Sequence, residues 1–318
     1  MQTIANPWLW GGFIAVVIAA LLADLVLMRH GGPHKVTFKE ALWWSIGWVA
    51  LALLFDLGLW WYLREAVDAV TANRVGLEFL TGYLVEKSLA VDNIFVFLMV
   101  MTYFAVPEEQ RQRVLVLGVL GAIALRAVMI FAGAALLARF HWLLYVFGAF
   151  LLLTGIKMWF SAGQEPDLEA NPVLRWMRGH LRIAPGYNGN RLMTVKDGVR
   201  HFTPLFVVLI LIAVTDVIFA VDSIPAIFAI TVDPFVVLTS NVFAVLGLRA
   251  MFFLLAGMAD RFHLLPYGLA VILVFIGGKM LLIDVFKMPV LVSLGGVVAI
   301  LAATMWLSLK IPPKHETA

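Results

Sequence analysis

The sequence predicts an all-α, polytopic membrane bundle of about nine transmembrane helices containing an inverted three-helix repeat. Three observations carry this expectation. Of 318 residues, 63% are hydrophobic and the mean hydropathy is +0.97, too apolar for a water-soluble globular domain. Apolar runs long enough to cross a bilayer recur along the whole chain. Finally, the polar interruption Glu86-Lys-Ser-Leu-Ala-Val-Asp92-Asn93 returns as Thr215-Asp216-Val-Ile-Phe-Ala-Val-Asp222-Ser223, with the two acids six residues apart in each copy.

The runs fall at about 8–28, 41–63, 77–104, 114–138, 142–160, 204–230, 235–257, 264–283 and 289–309. No positive charge precedes the first run, which therefore reads as a span rather than a cleaved signal peptide. The repetition extends beyond the acids: Leu125-Arg126-Ala127 matches Leu248-Arg249-Ala250, Arg139-Phe140-His141 matches Arg261-Phe262-His263, and Lys157-Met158 matches Lys279-Met280. Three helices per copy force the two copies into the membrane in opposite directions, the arrangement of alternating-access transporters. The chain then divides into 1–76 (helices 1 and 2), 77–160 (first repeat), 161–203 (a cytoplasmic loop, read as a linker), 204–285 (second repeat) and 286–318 (helix 9 and tail).

Net charge is +3 and the pI about 9.2, but the bases concentrate in loops on one side and report orientation rather than nucleic-acid binding. With the N-terminus outside, inside segments hold fourteen Lys and Arg, while outside segments hold Arg64, Arg74, Arg139 and Lys287. The expectation is N-terminus outside and C-terminus cytoplasmic. Trp43, Trp44, Trp60 and Trp61 near span ends read as interfacial anchors. The absence of cysteine excludes disulfides, thiolate metal sites and iron–sulfur clusters. No nucleophile elbow, phosphate loop, His-Glu-x-x-His or dinucleotide fingerprint occurs, so the sequence reads as no enzyme and needs no permanent cofactor.

At the membrane centre an ionisable side chain costs about 2.5–3.5 kcal/mol by insertion scales, so Glu86, Asp92, Asp216 and Asp222 need compensation by a cation or a proton. On an ideal helix Glu86 and Asn93 share a face, as do Asp216 and Ser223, while the second acid of each copy points about 120° away. Either the two faces serve different neighbours or the helix is broken, and Pro225 favours a break beside Asp222. Carboxylate, amide and hydroxyl oxygens form a hard donor set suited to magnesium, calcium or manganese. The plainer alternative is that the acids pair with Lys87, Arg126, Lys157, Arg249 and Lys279 to lock the bundle. These bases are also candidates for balancing charge or gating.

Asp56 lies deep in its span and is a candidate for the pathway, whereas Asp24, one turn before Arg29, reads as interfacial. His30 and His34 read as solvated loop, His141 and His263 as caps, and Met99, Met158 and Met280 as packing.

Together with Ser223-Ile-Pro225, Thr239-Ser240-Asn241 and Leu246-Gly247-Leu248-Arg249, the two acidic motifs closely resemble those of the TerC family, in particular its Alx-type members, from helix 1 to helix 9. The resemblance implies a bacterial inner-membrane protein related to metal export, with manganese the favoured ion. On matched positions, Glu86, Asp92, Asn93, Asp216, Asp222 and Ser223 would handle the metal. Many relatives carry glutamate where this chain has Ala213, so the resemblance implies one acid fewer here. The expected function is export of a divalent ion, most simply manganese, with possible proton antiport. The alternatives are a non-transport stress-response or tellurite-resistance component held by permanent salt bridges, or a calcium/proton exchanger. The expected partners are the bilayer and the metal ion.

Overall fold

The computed structural model describes residues 3–30, 37–162, 168–196, 198–256, 263–286 and 288–311. The side chains of Asp92, Arg29, His30 and Lys196 lie outside the described residues, as do His34, Arg261, Phe262 and Lys287.

The order is α1 (Pro7–His30), α2 (Phe38–Ala66), α3 (Ala69–Tyr103), α4 (Glu108–Arg139), α5 (Leu143–Ser161), α6 (Pro172–His180), β1 (Met193–Lys196), β2 (Val199–Phe202), α7 (Pro204–Phe228), α8 (Pro234–Leu246), α9 (Leu248–Ala256), α10 (Leu265–Leu281) and α11 (Val290–Lys310). Among the described residues six helices are long and apolar enough to cross a membrane: α1, α2, α4, α5, α7 and α11. A seventh is the pair α8 and α9, bent by 41° at Gly247. The remaining two expected spans are occupied by α3 and by α10. The first has 35 residues, about 52 Å of helix, but carries several charges, and the second has 17 residues.

Helix starts follow from local chemistry. Thr37 caps α2 by accepting from the Glu40 backbone N–H at 3.3 Å. Asp233 caps α8 from the Phe235 N–H at 2.9 Å, with Pro234 in the first turn. Asp233 also accepts from Thr3 Oγ1 at 2.9 Å and the Ile4 N–H at 2.7 Å, tying the start of the chain to α8. Asp68 caps α3, and the Thr71 backbone N–H followed by its hydroxyl hold this exposed carboxyl below the usual range.

Amphipathic stripes then place each helix. On α2 the buried residues are Ala41, Trp48, Ala52, Asp56, Leu59 and Leu63, a single face at helical spacing. The opposite face exposes Leu53, Leu54, Leu57 and Trp61, apolar surface suited to lipid. In α8 every one of the 13 residues is buried, making it the innermost helix.

The closest helix pair is α5 with α10. A Cβ on Gly277 would lie 2.7 Å from both Gly148 O and Leu152 N, and one on Gly155 would lie 2.8 Å from Ala270 O. Small residues therefore let the two backbones touch, as membrane helices do when water supplies no hydrophobic drive between them. Gly148 meets Gly277 while Gly155 meets Ala270, so the two helices run antiparallel.

Two expectations need correction. The described residues of the 161–203 segment form a small folded unit rather than a linker: α6 buries Leu174 and Met177, and β1 pairs antiparallel with β2 from Met193–Phe202 to Lys196–Val199. Tyr187 Oη donates to Phe104 O at 2.7 Å and fastens this unit to the end of α3. Helix α7, in turn, is continuous from Pro204 to Phe228, and Pro225 falls in its last turn. The proline frees the Val221 carbonyl, but the helix runs on unbroken to Phe228, so no break separates Asp216 from Asp222. The break predicted there occurs instead at Gly247.

Two outcomes follow. Gly277→Ala drives a methyl into backbone that cannot yield, and should lower stability by about 1–3 kcal/mol in detergent unfolding. Asp68→Ala should lower the melting temperature at neutral pH. Because the folded carboxyl titrates below its unfolded value of about 3.9, its stabilisation is complete above that value and disappears as pH falls through the folded one. Wild type and variant should therefore melt alike in strong acid.

Candidate functional site: a buried cluster of charge at the junction of two cores

The hydrophobic interior is split into two clusters. One gathers Phe79, Val85, Leu89, Ile130, Ala220 and Ile224 with α8 and α10. The other gathers Ile94, Phe97, Val119, Ala122, Leu211 and Ile212 with α6 and α9. Four polar side chains lie where α3, α4, α7 and α8 pass from one cluster to the other: Glu86, Arg126, Asp216 and Asn241. None is more than 2% exposed.

Arg126 is the hub. It occupies the buried stripe of α4 that includes Val119, Ala122, Ile130 and Ala134, so the helix aims it inward. Its Nη2 donates to Asp216 Oδ1 at 3.0 Å and its Nε reaches Asp216 Oδ2 at 3.4 Å. Its Nη1 donates to Glu86 Oε1 and to Asn241 Oδ1, the latter at 2.9 Å. The loop closes when Asn241 Nδ2 donates to Glu86 Oε2 at 3.2 Å. Two carboxylates thus share one guanidinium, whose planar fork suits bidentate recognition. With all groups ionised the cluster carries one excess negative charge.

The sequence motifs place other groups around this cluster. Glu86 pairs with Arg126 across α3 and α4, and Asp216 joins them from α7. Gly82, one turn before Glu86, lets α3 approach α8: a Cβ there would lie 2.9 Å from Ser240 Oγ. It would also lie 3.4 Å from Ile227 near the far end of α7, so α3 and α7 run antiparallel through the cluster. Asn93 and Ser223 therefore stand on opposite sides of it, each seven residues or about 10 Å along its helix from Glu86 or Asp216. Both are 2% exposed, and Asn93 Oδ1 and Ser223 Oγ have no hydrogen-bond partner. A buried oxygen without a donor is costly and signals an unfilled role.

Asp222 does not join the cluster. Its side chain faces Thr154 and Lys157 of α5, so the two acids of α7 serve different neighbours. Arg249 does not mirror Arg126 either: it pairs with Asp24 of α1, part of a small cavity lined also by Leu21, Trp48, Val119 and Leu246. Asp24 is thus half of an ion pair. Lys279 Nζ donates to Ser293 Oγ at 3.3 Å. Asp56 is 8% exposed, and its Oδ1 has no partner. Among the described residues no three His, Asp or Glu side chains converge on one point.

Sequence reasoning missed Asn241 as a site residue and assigned Lys87 only a general pairing role. In α8, Thr239 and Ser240 hydroxyls bond back to their own helix, at 2.8 Å to Phe235 O and 3.2 Å to Val237 O. Only the Asn241 amide is left to reach across, and a single amide in an otherwise apolar helix was the available signal. Lys87 Nζ donates to Ala244 O at 3.1 Å, and a Cβ on Gly247 would lie 2.6 Å from it. The ammonium therefore seats at the broken C-terminal end of α8, where freed carbonyls and the helix dipole favour positive charge.

Removing Arg126 leaves two buried carboxylates facing each other, so Arg126→Ala should cost about 3–5 kcal/mol in unfolding. Arg126→Lys should recover only part of this, because a point charge cannot replace the fork.

The chain is 54% identical over 316 residues to a protein of Escherichia coli (strain K12) named "Putative membrane-bound redox modulator Alx", covering 99% of this chain and 98% of that protein. A protein of the same name from Salmonella typhi is 55% identical over 305 residues, 96% of this chain and 95% of the relative. "Uncharacterized membrane protein STKORF319" of Myxococcus xanthus is 49% identical over 313 residues, covering 98% of this chain and 95% of that protein. No solved structure matches. The description "Integral membrane protein TerC family" matches residues 71–316, from the first turn of α3 to beyond α11, and takes in the whole charged cluster. The chain belongs to the TerC family of integral membrane proteins.

Proposed function

We propose that this protein exports a divalent metal ion, manganese by preference, across the bacterial inner membrane, with protons moving the other way. The observation that carries this reading is the buried pair Glu86 and Asp216 sharing the single cation Arg126. In a medium without water an uncompensated carboxylate is expensive, and a divalent cation or a proton offsets it. The oxygen donors suit a hard ion such as manganese. Asn93 Oδ1 and Ser223 Oγ, buried and unpartnered on opposite sides, supply a neutral ligand along each approach. Arg126 acts as the surrogate cation of the ion-free protein: an arriving ion displaces the guanidinium, and its return expels the ion. Asp92 and Asp222 complete the proposed metal set, Arg249 and Lys279 balance charge, and Lys157 neutralises Asp222 between cycles.

We also propose nine crossings, with α3–α5 and α7–α10 as inverted repeats that rock about the cluster. The antiparallel crossings of α3 with α7 and of α5 with α10 support this, since equivalent helices of inverted repeats run in opposite directions. The charge count supports an outside N-terminus and a cytoplasmic C-terminus. In this reading the 161–203 unit is cytoplasmic.

A second reading, in which the cluster is a permanent lock in a non-transport membrane component, draws on the completeness of Arg126's hydrogen bonding. The name of the Escherichia coli and Salmonella typhi relatives points to redox modulation, and with no cysteine in the chain such a role would be indirect.

Three measurements separate these readings. Purified protein in inverted vesicles should accumulate manganese, and Glu86→Gln and Asp216→Asn should each weaken manganese binding by about 10- to 100-fold. Unchanged binding in both variants removes the cluster from the metal path. Binding heats recorded in two buffers of different ionisation enthalpy should differ, because metal entering a protonated site releases protons; identical heats end the antiport reading. Reporters fused within 161–203 and at the C-terminus should lie on the same, cytoplasmic side, and opposite sides would break the inverted arrangement.

A further inference from the structure

A second polar column runs along a different face of α3. Gly76, Tyr83 and Lys87 are seven and four residues apart, so they line up on the face turned toward α2 and α8, about 90° from the face of Glu86 and Asn93. At its outer end stands Asp56, in the middle of the buried stripe of α2 where every other member is apolar. The Asp56 carboxyl lies over Gly76: a Cβ there would sit 3.6 Å from Oδ1 and 3.9 Å from Oδ2, with the Trp60 ring at 3.7 Å. Asp56 is 92% buried by complement of its 8% exposure, and its Oδ1 has no hydrogen-bond partner.

No charged group stands against it among the described residues. Its own helix offers the Trp60 ring, with Arg64 stacked on the far side at 5.2 Å from the ring centroid. Packed against α2, α8 brings Phe243, beside Phe55 at 4.6 Å between centroids, and α9 brings Arg249, already held by Asp24. From α3 come Tyr83 and Lys87. The Tyr83 hydroxyl is buried and likewise has no partner, and Lys87 Nζ lies 5.9 Å from the Tyr83 ring. Outward, Trp60 Nε1 donates at 2.7 Å to Asn73, an exposed pair at the α2–α3 turn. A carboxyl so placed gains nothing for the fold that Leu or Ala would not supply. It is too far from the Arg126 cluster's face to share that cluster's cation.

We propose that Asp56 is a proton-carrying site, separate from the Glu86–Asp216 cluster, loaded from the α2–α3 turn past Trp60 and Asn73. An O–H bond forms on the Asp56 carboxylate with a proton drawn from hydronium, leaving water, and breaks when a water molecule on the other side accepts the proton and becomes hydronium, restoring the carboxylate. The assignment deepens the antiport reading by giving the coupling proton its own carboxyl. This carboxyl carries a proton in addition to those that arriving metal displaces from the cluster, and it does so without occupying the metal's oxygens.

The test uses the full-length protein in proteoliposomes. Infrared difference spectra between wild type and Asp56→Asn at neutral pH should show a carboxylic-acid C=O band present only in the wild type, vanishing as pH is raised. Asp56→Glu should restore a shifted band. With manganese outside and a pH-sensitive dye inside, wild type should move protons against manganese, while Asp56→Asn should keep its manganese binding heat and lose the proton flux. Absence of the band overturns the proposal, as does an unchanged proton flux in Asp56→Asn. If wild type transports no metal, the export reading fails, and the pH-dependent band alone still decides whether Asp56 exchanges protons.

Discussion

Two carboxylates sharing one guanidinium in a region without water set the terms for the rest of this structure. Glu86 and Asp216 come from helices far apart in the chain, and each would destabilise the bundle alone. Arg126 makes both tolerable only while α3, α4, α7 and α8 hold their mutual positions, because its donors point in fixed directions. The Asn241 amide closes the ring by donating to Glu86 and accepting from Arg126. That double role needs a group that both donates and accepts, as the amide does: a carboxylate could not donate and an ammonium could not accept.

The surrounding packing serves that ring. Gly82 removes a side chain so that α3 can approach Ser240 and Asn241. The 41° bend at Gly247 ends α8 inside the bundle, and Lys87 occupies the resulting negative end. Irregular backbone at membrane depth persists where protein satisfies it, and Lys87 does so here. Arg126 and Asp216 stand on α4 and α7 between residues of one hydrophobic cluster and residues of the other, so the charges lie where the two clusters meet.

The two repeats are not chemically equal. Arg126 serves a central pair of acids, whereas Arg249 is held by Asp24 of α1, a helix outside the repeated units. A duplicated motif thus yields one central cation shared by two acids and one peripheral ion pair. Membership of the TerC family, whose matched region begins at residue 71, covers this ring but leaves Asp56 and the whole of α2 outside it. In our reading the chemistry of the family centre and that of α2 are separate components.

The helical, membrane-embedded class was legible in the sequence because hydropathy over about 20 residues reports the medium directly, and no other element satisfies its backbone within one segment. Glu86, Asp216 and Arg126 were legible as important because a charge in such a run is expensive wherever it ends up. Their partnership was not. Spacing on an isolated helix tells which side chains share a face, but not which neighbour that face meets, so Asp216 found Arg126 while Asp222 went to Lys157. The sequence pointed to Pro225 for a break that the packing put at Gly247: the proline leaves the Val221 carbonyl without its helical donor, but it stands so near the end of α7 that almost no helix follows it to be displaced. In the described part of 161–203, Asn171-Pro172 marks a helix start and Leu174 and Met177 share a face, so the helix was legible locally; its docking, like that of Tyr187 on the Phe104 carbonyl, was not, because no local pattern records a contact made only in three dimensions.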